Sequence, residues 1–124
     1  MIEKKVKYKG KEIICKVDFQ FYPYNEAISC SLEMQGIEPF IITMCFNTTP
    51  PLAFGNFIDI KNNPDILDFL KDNDFGIVTE LAMRKGYYLY PLFVFNKKLV
   101  KEANPSMYEN YIKMYGNKYS IKDI

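Results

Sequence analysis

Ile13, Cys15, Val17, Phe19 and Phe21 occupy every second position of residues 12–21, and Ile28, Cys30, Leu32 and Met34 do the same across 27–34. Side chains of a strand alternate between its two faces, so a period of two writes one apolar face and one polar face. Two such stretches in series require a sheet that is covered on one side. Pro23 and Asn25 close the first stretch, and Gln35-Gly36 turns the second into residues 38–46. There Thr43 among apolar neighbours predicts a strand covered on both faces. Upstream, Val6-Lys7-Tyr8 and the Lys9-Gly10-Lys11 turn predict a first hairpin. Pro50 and Pro51 end this meander, because neither nitrogen can donate to a ladder.

Beyond the prolines the pattern changes. Residues 57–60 read as a short strand leading into Asn62-Asn63-Pro64-Asp65. That string predicts a helix start, with Asn63 as N-cap, Pro64 at the first helical position and Asp65 at the positive end of the dipole. The helix is expected to run to about Asn73, burying Ile66, Phe69 and Leu70, with Phe75-Gly76 as its stop. Residues 77–82 predict a strand, Lys85-Gly86 a turn, and 87–95 a further strand bent at Pro91. Ser106 and Glu109 have capping-box spacing, Tyr108, Tyr111, Ile112 and Tyr115 recur at helical period, and Gly116 is a natural C′ residue. The expected architecture is α+β: an antiparallel sheet of five to seven strands, one central helix packed on it, and a C-terminal helix. The expected organisation is a single domain over residues 1–116 with a flexible tail at 117–124.

Histidine is absent from all 124 residues. That removes Ser-His-Asp and Cys-His nucleophile systems, the usual zinc sites and the ordinary pH switch. No phosphate loop, dinucleotide fingerprint, nucleophile elbow or metal-ligand spacing is present. The expectation is therefore no enzyme, with no catalytic residue, metal or cofactor assigned. Three cysteines, Cys15, Cys30 and Cys45, are an odd number on strand-like segments, which predicts buried thiols rather than a disulfide framework. The start of the chain is charged with no apolar stretch behind it, and the longest apolar run, 40–46, is too short to span a bilayer. A cytoplasmic chain with no membrane partner is expected.

The net charge of +1 hides a segregated distribution. Residues 1–16 sum to +4, residues 17–83 to −8, and residues 84–124 to +5. Within the acidic middle, Asp65, Asp68 and Asp72 stand at i, i+3 and i+7, with Asp59 before them and Asp74 after. This spacing stacks carboxylates along one helix stripe. As fold, the stripe is the solvated side of an amphipathic helix; as function, it is a ridge for a basic partner surface. The basic ends support the opposite partner. Lys4, Lys7 and Lys9 flank Tyr8, and Arg84-Lys85 precede Tyr87, Tyr88 and Tyr90. Cations beside strand aromatics are elements of a single-stranded nucleic-acid platform, although lysines on an edge strand also block sheet aggregation. Tyr108, Tyr111 and Tyr115 form a third candidate surface. They are either a face that docks on the domain or, since the apolar arc is wide, an interface with a target or a second copy of the chain.

Several segments together resemble a small uncharacterised domain family found among phage, plasmid and conjugative-element genes of low-GC bacteria. The resemblance is carried by Tyr24-Asn25-Glu26-Ala27-Ile28 and by Glu38-Pro39-Phe40 ahead of the Thr43 strand. It continues through Phe57-Ile58-Asp59, Asn62-Asn63-Pro64, Phe69-Leu70, Gly86-Tyr87 and Tyr90-Pro91-Leu92-Phe93-Val94-Phe95. It spans roughly residues 22–95 and departs at Met44-Cys45-Phe46, where an aliphatic strand end is usual. No activity comes with it, so it implies context alone. Small motif-free proteins of mobile elements often act by binding a host protein, commonly a defence nuclease, and this analogy of gene class is what the resemblance implies. The resulting expectation is a non-enzymatic interaction module, an anti-CRISPR-like inhibitor of a host defence system. The alternative is a nucleic-acid-binding module using the basic and aromatic strand residues.

Overall fold

A computed structural model describes residues 1–119. The order is β1 (Ile2–Tyr8), β2 (Lys11–Phe21), β3 (Ile28–Met34), β4 (Ile37–Ile41), β5 (Gly55–Phe57), α1 (Ile66–Asp72), β6 (Gly76–Lys85), β7 (Tyr88–Phe95), α2 (Lys97–Ala103) and α3 (Pro105–Tyr119). The fold is α+β, and its seven strands divide into two antiparallel sheets, β1-β2-β3-β4 and β5-β7-β6. The meander follows the period-two pattern closely. Cys15 opposes Met34, Val17 opposes Leu32 and Phe19 opposes Cys30, and all six are buried. At the β1–β2 turn Lys9 and Gly10 both have positive φ, the signature of a type I′ hairpin.

The two sheets are divided where a single strand was expected. β4 ends at Ile41, and it is largely exposed rather than covered on both faces. The chain then continues as a narrow bridge. Ile42 N–H donates to the Cys30 carbonyl at 3.0 Å, and Met44 N–H donates to that of Phe57 at 2.8 Å. Thr43 pairs with Ile58 across an isolated bridge. Residues 42–44 thus join one sheet to the other, and Ile58 belongs to this bridge while β5 closes at Phe57.

β7 is the middle strand of its sheet and is covered on both sides. Phe93 and Phe95 face the main core, which runs from Val6 to Tyr115. Tyr90 and Leu92 face a second cluster with Phe46 and Phe57. Pro91 is tolerated in this central strand because its backbone faces β5 just beyond that strand's end, where its carbonyl accepts from Ile58.

The helices depart from expectation in their caps. Asn63 does not cap α1, because its backbone N–H and its side-chain amide both donate back to the Asp59 carbonyl. The helix starts at Ile66, with Asp65 at the N-cap position making no side-chain bond. α2 was not expected from sequence. Its signal is Asn96, whose side chain accepts from the N–H groups of Lys98 and Leu99. α3 is capped by Asn104, which accepts from Met107 N–H at 3.1 Å, and not by Ser106. Gly116 lies within α3 rather than after it, so residues 117–119 are helical where a tail was expected. The remainder of that expected tail, 120–124, lies outside the described residues.

Candidate functional site

The β6–β7 hairpin turns through Gly86 and Tyr87. Gly86 has φ of +63° and Tyr87 does not have a positive φ, the pattern of a type II′ turn with glycine first. In this turn Tyr87 is fully exposed, and Ile77 (70%), Leu81 (50%) and Leu89 (49%) are about half exposed or more. With Tyr88 they make five of the twelve large apolar side chains exposed among the described residues. Single exposed apolar residues need no explanation, but a group on one hairpin marks a contact element, here one that is apolar on both faces: Leu89 shares a face with Arg84, whereas Ile77 and Tyr88 share the opposite face with Met83. The hairpin tip also carries Arg84 and Lys85, and the Lys61 ammonium lies 5.7 Å from the Tyr88 ring centre.

Of the residues singled out from sequence, the tip gathers Arg84, Lys85, Tyr87 and Tyr88. Tyr90 is buried against Phe46 in the second cluster, so it offers no ring to a ligand. Lys4, Lys7 and Lys9 lie on or just after β1, in the other sheet. Lys4 faces inward, its ammonium 5.8 Å from the Phe75 ring centre, whereas Lys7 and Lys9 are exposed. Because β1 alternates, these lysines cannot share one face.

Asp65, Asp68, Asp72 and Asp74 are exposed. Among the described residues the ion pair in this stretch is Asp68 with Lys71 at 3.9 Å. Asp59 is half-buried, ahead of the helix, and both its carboxylate oxygens accept from Asn62 within a turn.

The tyrosine stripe on α3 faces the domain. Tyr111 is completely buried and its hydroxyl accepts from Phe54 N–H at 2.9 Å. Burial pushes this phenol up to about 12 despite the hydrogen bond from Phe54. Tyr115 is buried beside Phe21 and Tyr111, and Tyr108 stacks on Phe54. The expected interface arc is therefore mostly consumed inside the fold, and Met114 is the exposed large apolar residue of α3. Near the end of this helix, Glu26 accepts from Lys118 at 2.8 Å and from Tyr119 at 2.8 Å. Burial opposes the Glu26 carboxylate, but these donors outweigh it and hold the group below its ordinary range.

Two of the three thiols behave as buried hydrophobes. Burial raises Cys15 to about 11 and raises Cys30 well above its usual value. Cys45 departs from expectation: it is exposed, 2.6 Å from the Tyr24 hydroxyl.

A family model described as a domain of unknown function, DUF4313, matches residues 16–115. The chain belongs to the DUF4313 family. No curated protein and no solved structure matches it. The DUF4313 match takes in α1, the whole β6–β7 hairpin and most of α3, and it leaves out β1 with Lys4, Lys7 and Lys9. No helix among the described residues is long and apolar enough to cross a membrane.

Sequence reasoning missed Ile77, Leu81 and Leu89 as surface residues. In sequence their apolar side chains look like strand formers, and the available signal is the Thr79-Glu80 interruption within an otherwise apolar run.

Proposed function

We propose that this DUF4313 domain is a non-enzymatic protein-interaction module that docks through its β6–β7 hairpin. The observation that carries the reading is the concentration of exposed Ile77, Leu81, Tyr87, Tyr88 and Leu89 on that hairpin. Tyrosine and apolar residues with arginine at hand have the composition of an interface centre. In the finer form of the proposal, the gene belongs to a mobile element and the partner is a host protein. The product then inhibits a host defence system in the manner of an anti-CRISPR, with a defence nuclease as target. The exposed Asp65, Asp68, Asp72 and Asp74 support a basic target surface, such as one that holds nucleic-acid phosphates. The test is inhibition of the defence system by the intact chain and by a Tyr87→Asp, Leu89→Asp variant. The variant should remain folded and lose inhibition; full inhibition by a folded variant contradicts the hairpin as the docking surface.

A second reading has its own observation: Arg84, Lys85, Tyr87 and Tyr88 share the hairpin tip with Lys61 nearby. A single-stranded nucleic acid held there would bind tightly at low salt and weaken steeply as salt rises. Absence of binding to single-stranded DNA and RNA at low salt removes this reading.

A further inference from the structure

β6 lies at the edge of its sheet, and its backbone groups can be assigned to one side or the other. Along β7, the Pro91 carbonyl accepts from Ile58 and Phe95 N–H donates to Phe54, so odd-numbered residues bond toward β5. The Leu92 carbonyl instead accepts from the Thr79 hydroxyl, so even-numbered residues bond toward β6. Tyr90 opposes Met83 and Tyr88 opposes Lys85, and these β6 residues therefore spend their backbone groups on β7. Between Val78 and Ala82 the register shifts. There the Thr79 hydroxyl also accepts from Leu81 N–H at 3.1 Å, which keeps the odd residues occupied. Glu80, Ala82 and Arg84 are left with backbone groups directed outward.

The other sheet edges are guarded. On β1 the Asn73 carboxamide donates to the Lys7 carbonyl and accepts from its N–H, imitating a strand at that one residue, and the exposed Glu3 and Lys5 put charge along the rest of the edge. β4 carries Pro39, which has no N–H to offer. β5 is covered by Met44 and by the Thr43–Ile58 bridge. β6 combines an open edge with exposed Ile77 and Leu81.

We propose that two copies of the chain join β6 to β6, antiparallel, about a two-fold axis at Ala82; this rests on the reading of the hairpin as a docking surface. In that register Glu80 opposes the partner's Arg84, Arg84 opposes the partner's Glu80, and Leu81 opposes the partner's Met83. Ala82 meets its own copy, where a small side chain lets the strands close. A slip of one residue sets outward backbone groups against groups already bonded to β7. A slip of two loses both ion pairs, and a slip of four sets Glu80 on Glu80 or Arg84 on Arg84. The pairing merges two three-stranded sheets into one of six. Leu89, which opposes Arg84 within each hairpin, then lies on a doubled platform available to a target.

Sedimentation of the full chain across a concentration series tests this, with a species of twice 14.6 kDa expected. Glu80→Arg and Arg84→Glu should each weaken the dimer about tenfold, because each sets like charges together at two symmetric places. The double exchange should restore it. In a Cys45→Ser background, Ala82→Cys should form a disulfide dimer under mild oxidation, since paired Cα atoms lie about 5.5 Å apart. A monomer at every concentration, or a double exchange no better than the single ones, overturns the proposal. A monomeric wild type whose Tyr87→Asp, Leu89→Asp variant still loses inhibition overturns self-pairing alone. Rescue by charge exchange in a chain whose hairpin variant keeps full inhibition upholds self-pairing and overturns the host-facing reading.

Discussion

Tyr111 and Tyr115 are one helical turn apart on α3, both buried, and they use their hydroxyls differently. Tyr111 satisfies the backbone N–H of Phe54, whereas the Tyr115 hydroxyl has no partner among the described residues. Removing an acceptor from a buried donor costs the desolvation of the group left behind, while removing an unpaired hydroxyl costs little. Tyr111→Phe should therefore destabilise by about 1–3 kcal/mol, and Tyr115→Phe should be neutral or stabilising. Urea denaturation of the two variants checks this ordering, and equal losses would contradict it. Their common helical period was legible in the sequence. Which hydroxyl meets Phe54 was not, since these partners are 57 residues apart.

At the scale of elements, α3 belongs to the core. Met107, Tyr111 and Tyr115 all join the main cluster, and emptying one large aromatic site costs about 3–5 kcal/mol. Against a total stability of about 5–15 kcal/mol, truncation after Ala103 should leave a chain without a cooperative unfolding transition. A folded truncated domain would show instead that α3 is an appendage. The meander was legible because Val17, Phe19, Cys30 and Leu32 obey a strict period on a one-sided sheet. The division into two sheets was not, since it depends on Thr43 meeting Ile58 rather than continuing β4. α2 was missed because it is only seven residues long and is set by the Asn96 cap more than by periodicity. The candidate site was half legible. Arg84, Lys85, Tyr87 and Tyr88 were visible as a group, while Ile77, Leu81 and Leu89 look in sequence like any buried strand residues.

For the whole molecule, the distribution of protected and open edges carries the functional account. Asn73 caps β1 at Lys7 and charged Glu3 and Lys5 blunt the rest of that edge, Pro39 blunts β4 and the 42–44 bridge covers β5, which leaves β6 as the edge best suited to meet another strand. Amide hydrogen exchange on the full chain at low and high concentration examines that edge directly. The N–H groups of Glu80, Ala82 and Arg84 should exchange fast when dilute and become protected as concentration rises, while that of Lys5 on β1 stays unchanged. Exchange at residues 80, 82 and 84 that is the same at both concentrations would contradict β6 as the edge at which copies of the chain dock.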